Sequence, residues 1–123
     1  MTIDSNIIIA YLAGESVAVE TLSQWKATGT SLFLPTIVEA EVLSFEKWSD
    51  AERARIELFL DQEFVSVPFD RPVARIVARI RRGRAIKLPD AAIAATALYT
   101  NSPLVTRNAR DFKNIPSLTV IDM

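Results

Sequence analysis

Five alanines, Ala91, Ala92, Ala94, Ala95 and Ala97, follow directly on Leu88-Pro89-Asp90, and this run constrains the fold more than any other stretch. Alanine is the strongest helix former and carries a single methyl, so the segment predicts a buried helix able to lie close against a sheet. Pro89 suits the first helical position because it lacks an N–H, and Asp90 sets a carboxylate in the first turn, where the helix dipole favours an anion. After the turn residues Asn101-Ser102-Pro103, Leu104-Val105 reads as an inner strand that stops at Thr106, Arg107, Asn108 and Asp111. Polar residues just past a buried strand are where open α/β sheets bind ligands.

The rest of the chain repeats this alternation. Residues 1–3 read as a strand ending at Asp4-Ser5-Asn6, and residues 7–12 as a short buried helix closed by Gly14. A second helix starts near Ser16, with Ala18, Leu22 and Trp25 on one face and Gly29 as its stop. Residues 31–34 form the next predicted strand. Thr36 with Glu39, and Ser49 with Glu52, each have the form of a capping box. The first opens a helix carrying Glu41, Val42, Leu43 and Phe45; the second turns Ile56, Phe59 and Leu60 inward. Residues 64–68 predict a third strand. Asp70 then caps a helix whose Val73, Ile76, Val77 and Ile80 face the core, while Arg71, Arg75, Arg79 and Arg82 form a basic stripe and Gly83 ends it. Residues 118–121 supply a last strand. The expectation is one α/β domain spanning 1–123, a parallel sheet of about five strands with helices on both faces.

Composition narrows the chemistry. Half of the 123 residues are hydrophobic, enough for a real core without staples. There is no cysteine and no histidine. Thiolate nucleophiles, the usual zinc ligands and Ser-His-Asp schemes are therefore excluded, and any catalysis must rest on carboxylates, Lys, Tyr, Ser or a metal held by oxygen. Residues 7–12 are too short to span a bilayer, so the expectation is a cytoplasmic protein with no membrane association. The net charge of −1 neither requires nor excludes nucleic acid.

The acids fall in a pattern. Asp4 follows the first strand, Glu41 lies in the helix after the second, Asp90 opens the helix entering the fourth, and Asp111 lies in the turn leaving it. Strand ends in a parallel sheet converge on one edge, so Asp4, Glu41 and Asp111 are expected beside the same crevice, and Asp90 joins them if its helix starts there. Crowded carboxylates repel unless a cation lies between them, and an oxygen-only site is the ordinary setting for Mg²⁺ or Mn²⁺. Taken singly, each acid also has a capping or solvated reading.

Four segments, in order, carry a resemblance: Ile3-Asp4-Ser5-Asn6, Thr36 to Leu43, Leu88-Pro89-Asp90 with the alanines, and Leu104 to Asn108 followed by Asp111-Phe112. The chain resembles the PIN domain family, in particular the VapC-type ribonuclease toxins of prokaryotic toxin–antitoxin pairs. The resemblance implies that Asp4, Glu41 and Asp90 are metal ligands, with Ser5, Asn6, Thr106 and Asn108 supporting them. Many members have an acid where Asn108 stands, and the nearest carboxylate here is Asp111, which leaves the second metal position open. Glu39 competes with Glu41, but the capping box gives Glu39 a structural task. The implied function is Mg²⁺- or Mn²⁺-dependent hydrolysis of RNA phosphodiesters by Asp4, Glu41, Asp90 and Asp111.

The implied partners are RNA, a cognate antitoxin and a second copy of the chain. Arg75, Arg79, Arg82, Arg107 and Arg110 are candidates for contact with RNA or antitoxin, and Trp25, Phe45 and Trp48 are candidate dimer anchors. Two other classes use the same residues. One is a phosphatase-like enzyme with Asp4 as nucleophile, although its expected second Asp is replaced by Asn6; the other is a non-catalytic RNA- or protein-binding module on the same fold.

Overall fold

A computed structural model describes residues 1–123. The elements run β1 (Thr2–Ile3), α1 (Ser5–Leu12), α2 (Ser16–Ala27), β2 (Phe33–Pro35), α3 (Thr36–Leu43), α4 (Asp50–Glu63), β3 (Val65–Val67), α5 (Arg71–Arg81), α6 (Leu88–Tyr99), β4 (Leu104–Thr106) and β5 (Val120–Asp122). A short 3₁₀ turn, Ala109–Phe112, lies between β4 and β5. The sheet order is β3-β2-β1-β4-β5 and every pairing is parallel. From β1 the chain steps outward to β2 and β3, then returns to the other side of β1 as β4. Right-handed crossovers therefore put α1 to α4 on one face and α5 and α6 on the other. The direction reverses between β1 and β4, and this switch point is where open α/β sheets leave a crevice beyond the strand ends. Ile3 is in register with Val105, which puts Asp4 next to Thr106 at that crevice.

Packing explains the alanine run. Every residue from Ala91 to Ala97 is buried, so α6 is enclosed on all sides rather than amphipathic. Methyl side chains let its backbone approach both the sheet and α5, and Ile93 supplies the bulk. Ile3, Leu104 and Val105 of the two central strands are fully enclosed, with Ile7, Ile8, Leu34, Val38 and Val42 from the opposite face. Truncating Ile93 to Ala would cost about 2–5 kcal/mol, because neighbours already packed on backbone have little freedom to collapse. Thr96, buried in the same helix, satisfies its hydroxyl on the Ala92 carbonyl at 2.8 Å.

Helix ends follow the expected chemistry in most places. Gly14, Gly29 and Gly83 follow helix ends at φ between +75° and +79°, which glycine adopts at no steric cost. Ser49 and Glu52 form the reciprocal capping box, with bonds of 3.1 and 2.9 Å. Asp70 caps α5. The box expected at Thr36 and Glu39 does not form: Pro35 ends β2 and is itself the cap position, so Thr36 is already the first helical residue. Its hydroxyl instead accepts a bond from the Phe69 N–H at 3.2 Å, tying α3 to the segment after β3. Phe45 lies beyond α3, and α6 begins at Leu88, one residue ahead of Pro89. The strands are shorter than expected or displaced: Phe33–Pro35 against 31–34, Val65–Val67 against 64–68, and Val120–Asp122 against 118–121. In each case the boundary is set by pairing with β1, β2 or β4 across the sheet rather than by local hydrophobicity.

Candidate active site at the sheet edge

Asp4 is the centre of the crevice. It is 5% exposed and serves as the cap of α1, its Oδ1 accepting from the Ser5 backbone N–H at 2.7 Å. Its Oδ2 accepts from the Thr106 hydroxyl at 2.8 Å, a bond that joins the ends of β1 and β4 across the switch point. Thr106, fully buried, accepts in turn from the Asn108 backbone N–H at 3.0 Å and from the Asn6 amide at 3.4 Å. Asn6 also donates to Asp4 Oδ2 at 3.4 Å and accepts from the Arg107 backbone N–H at 3.3 Å. Ser5, Asn6 and Thr106 thus fix the carboxylate of Asp4 in one orientation. A carboxylate has about four acceptor positions, and on each Asp4 oxygen one of the two bonds is long, 3.4 Å from the Ser5 hydroxyl and 3.4 Å from the Asn6 amide, so these are the positions a stronger ligand would take over.

The three other acids share its electrostatic environment. Burial is the largest cause that pushes the Asp4 carboxyl above its ordinary range; the bonds from Thr106 and Ser5 oppose it, and Asp111 adds to it. Glu41 is raised first by partial desolvation, then by Asp4 and Asp90, although its overall residue surface is exposed. Asp90 is raised by desolvation, then by Asp111 and Asp4, with Lys87 opposing. The four carboxylates are therefore coupled, and three of them are harder to ionise here than in water. Asp4 and Asp90 both act on the Glu41 carboxyl, which favours Glu41 over Glu39 as the third acid.

As the side chains stand, no three acids converge on one point. The donor set is nevertheless all oxygen and anionic, the chemistry that suits a hard divalent cation, and charges of one sign splay when nothing bridges them. The residues fit such an ion by donor type and by mutual repulsion.

The PIN domain family model matches residues 1–118, nearly the whole chain. The chain belongs to the PIN domain family. It is similar to ribonuclease VapC of Rickettsia bellii, 27% identical over 130 residues that cover 98% of this chain and 94% of the relative. Ribonuclease VapC19 of Mycobacterium tuberculosis is 31% identical over 121 residues, covering 94% of each chain. Among solved structures, a toxin–antitoxin complex from Klebsiella pneumoniae aligns with a TM-score of 0.81 and 29% identity over 98% of this chain and 94% of that one. VapBC2 from Rickettsia felis, bound to a promoter DNA fragment, shares the fold with a TM-score of 0.83 at 24% identity, over 99% of this chain and 97% of that one. These relatives place the PIN domain in the VapC-type group.

The remaining residues expected at the site divide into two groups. Asn108 is exposed and contributes its backbone N–H, to Thr106, while Asp111 is the acid coupled to Asp4 and Asp90. The guanidinium of Arg107 is engaged by Glu15, from the loop between α1 and α2, and so faces away from a role as a free cation. No pattern in the sequence pointed to Glu15, which is 92 positions from its partner. Arg110 shares a cleft with Asp90 and Asp111. Arg75, Arg79 and Arg82 line a separate groove with Pro72, Ile76 and Ala78, and none of the four acids opens into it. Trp25, Phe45 and Trp48 are all half-buried; Phe45 and Trp48 pack ring on ring at 5.1 Å, and the Trp48 indole N–H donates to the Val42 carbonyl, closing the end of α3. No helix is long and apolar enough to cross a membrane.

Proposed function

We propose that this PIN domain is a metal-dependent endoribonuclease, the toxin of a toxin–antitoxin pair. The observation that carries the reading is the placement of Asp4 at the switch point, held by Thr106 across β1 and β4, with Asp90 and Asp111 lining one cleft; the electrostatic influence of these acids on one another and on Glu41 accords with it. The names of the relatives, ribonuclease VapC and VapC19, support the choice of RNA, and the Klebsiella pneumoniae complex supports an antitoxin partner.

Asp4, Glu41 and Asp90 would hold Mg²⁺ or Mn²⁺, with Asp111 beside a second ion. Such an ion supplies a nucleophilic water at neutral pH and draws charge from the phosphoryl oxygens. The chain's own residues prepare the site. Ser5 and Thr106 hold both Asp4 oxygens, so the carboxylate is oriented before any ligand arrives. Asn6 braces Thr106 and the Arg107 backbone, locking the end of β4 to the start of α1. Lys87 offsets part of the charge at Asp90. In the hydrolysis, the water oxygen bonds to phosphorus, the bond from phosphorus to the leaving ribose oxygen breaks, and that oxygen takes up a proton. The α5 arginines, in a groove apart from the acids, suit acidic groups of the antitoxin, and two copies of the chain form the active particle.

An aspartyl-phosphate enzyme is less well supported, because both Asp4 oxygens are hydrogen-bonded and Asn6 replaces the second acid. The test is incubation of pure protein with total RNA in Mg²⁺, Mn²⁺ or EDTA, with mapping of new ends. Cleavage that needs metal and is lost in Asp90→Asn is expected. Undiminished cleavage in EDTA refutes the mechanism, a trapped phosphoaspartate favours the phosphatase, and RNA binding with no cleavage in Mn²⁺ favours the binding module.

A further inference from the structure

The loop between α5 and α6 and the segment from the 3₁₀ turn to Ile115 face each other across a cleft of about 470 Å³. Arg84 and Lys87 line it on one side, Arg110 and Lys113 on the other, and Asp90 and Asp111 lie on its wall. None of these four cations forms an ion pair; the chain's three ion pairs are Lys26–Glu63, Arg53–Asp50 and Arg107–Glu15. Arg84 is held by one bond from its guanidinium to the Ile80 carbonyl at 3.0 Å, which orients it without neutralising it. Four cations, none in a close ion pair and only Lys87 partly offset by Asp90, outnumber the two acids of the cleft and form a surface for a polyanion that runs away from the reaction centre.

We propose that this cleft is the backbone-holding arm of the substrate groove, taking the phosphates of single-stranded RNA on one side of the scissile bond. The proposal rests on the ribonuclease reading of the adjoining acids. Its volume, about 470 Å³, is that of a small-ligand pocket, room for a short run of one strand's backbone. No aromatic side chain lines it; its hydrophobic residues are Ala85, Ile86 and Ile115. Base stacking is therefore absent from this arm, and its grip comes from charge on phosphate, which positions the strand without reading sequence. An acidic peptide would meet the same cations, but its carboxylates are not regularly spaced along one edge as phosphates are.

The test is binding in EDTA of the full chain to fluorescent single-stranded oligoadenylate, oligouridylate and an RNA duplex over a salt series. Each phosphate contact on a single strand contributes about −0.7 to the slope of log affinity against log salt. Combining Arg84→Gln, Lys87→Gln and Lys113→Gln should flatten the slope by about 2, and shrink the affinity lost between ~50 and ~200 mM salt by about 20-fold. The effect should be equal for both single strands, and the duplex should bind more weakly. Arg75→Gln, Arg79→Gln and Arg82→Gln together should keep the parent slope. Because Arg84 also bonds the end of α5, the pair Lys87→Gln and Lys113→Gln provides a second variant, expected to flatten the slope by about 1.4 with an unchanged melting temperature.

A parent slope in the cleft variants, a loss carried wholly by α5, failure of the parent to bind RNA, or displacement of RNA by polyglutamate as readily as by oligoadenylate each overturns the proposal. A parent that binds through the cleft yet leaves RNA intact in Mg²⁺ and Mn²⁺ upholds the cleft and refutes the ribonuclease reading. Cleavage by the parent with binding unaltered in the cleft variants does the reverse.

Discussion

Substituting Asp4→Asn separates a metal centre from a structural cluster, because the two forecast opposite changes in stability. Asn has nearly the shape of Asp and removes the charge. If Asp4 only capped α1, the exchange would be neutral or would cost up to about 1 kcal/mol. In the structure the carboxyl is raised in spite of its bonds to Thr106 and Ser5, so burial and neighbouring acids outweigh them in disfavouring the charge. Burial is the larger part of this and repulsion from Asp111 the smaller, so the roughly 2.8 kcal/mol by which two unit charges about 6 Å apart repel at an effective dielectric near 20 is an upper bound on the neighbour's share. Against this, the bonds from Ser5 and Thr106 weaken when their acceptor is no longer charged, by about 1 kcal/mol together. The metal-free variant should gain about 1–2 kcal/mol, or ~3–8 °C in melting temperature for a domain of this size. Metal reverses the order. At a concentration 100 times Kd the parent gains about 2.7 kcal/mol, whereas a variant whose Kd is about 100-fold weaker gains about 0.4. Melts followed by circular dichroism at pH 7, with EDTA and with a Mn²⁺ series, should therefore cross, and cleavage should be lost. An Asp4→Asn protein that melts lower in EDTA and still cuts RNA refutes both the metal assignment and the nuclease built on it.

The other predictions draw on the same geometry. Asp4, Glu41 and Asp90 have folded pKa values above their ordinary ones, so the metal-free protein binds more protons than the unfolded chain in that interval and loses stability as pH rises from about 4 through the raised values. Denaturant titrations in EDTA should show these groups' contribution falling as pH rises above about 4, and Asp90→Asn should flatten that fall; an unchanged profile would contradict the coupling. Thr106→Val removes the hydroxyl donor to Asp4 and the acceptor for the Asn108 N–H, and should cost about 1–3 kcal/mol and weaken Mn²⁺ binding by about 10–100-fold, read by calorimetry. Ser49→Ala breaks the capping box of α4 and should cost about 1 kcal/mol in urea unfolding with no change in cleavage. Asp111→Asn should raise the metal-free melting temperature less than Asp4→Asn does, since Asp111 is exposed and its charge is better screened.

Two stretches with the same local form show where reading a sequence ends. Ser49-x-x-Glu52 and Thr36-x-x-Glu39 both match a capping box, and only the first forms one. Ser49 follows an irregular segment and is free to be a cap. Thr36 follows a strand directly, so the cap position falls on Pro35, and the Phe69 N–H, 33 residues on, claims its hydroxyl. Sheet register and a long-range donor decide the outcome, and neither is written locally. The alanine run was legible for the converse reason: small side chains with high helix propensity, enclosed on every side, leave one packing solution. Long-range ion pairs such as Glu15–Arg107 and the cationic cleft from two distant loops carry no local pattern at all.

The acids lie between these cases. Asp4 and Asp90 were legible as candidates because one follows a strand end and the other opens a helix, and Glu41 because it lies in the helix that leaves β2 directly, places that a parallel sheet brings toward one edge. The fourth position was not, because it depends on the local form of the turn after β4. The chain leaves β4 in a 3₁₀ turn, Ala109–Phe112, closed by a bond from the Asp111 N–H to the Asn108 carbonyl at 2.9 Å. Three residues make one turn of such a helix, so side chains at i and i+3 eclipse and point the same way. Asp111 therefore stands on the side of the turn that Asn108 begins, and its charge is felt at Asp4 and Asp90. A carboxylate displaced by three residues along the chain is thereby kept at the same edge of the sheet, whereas an extended exit from β4 would put positions 108 and 111 on opposite faces.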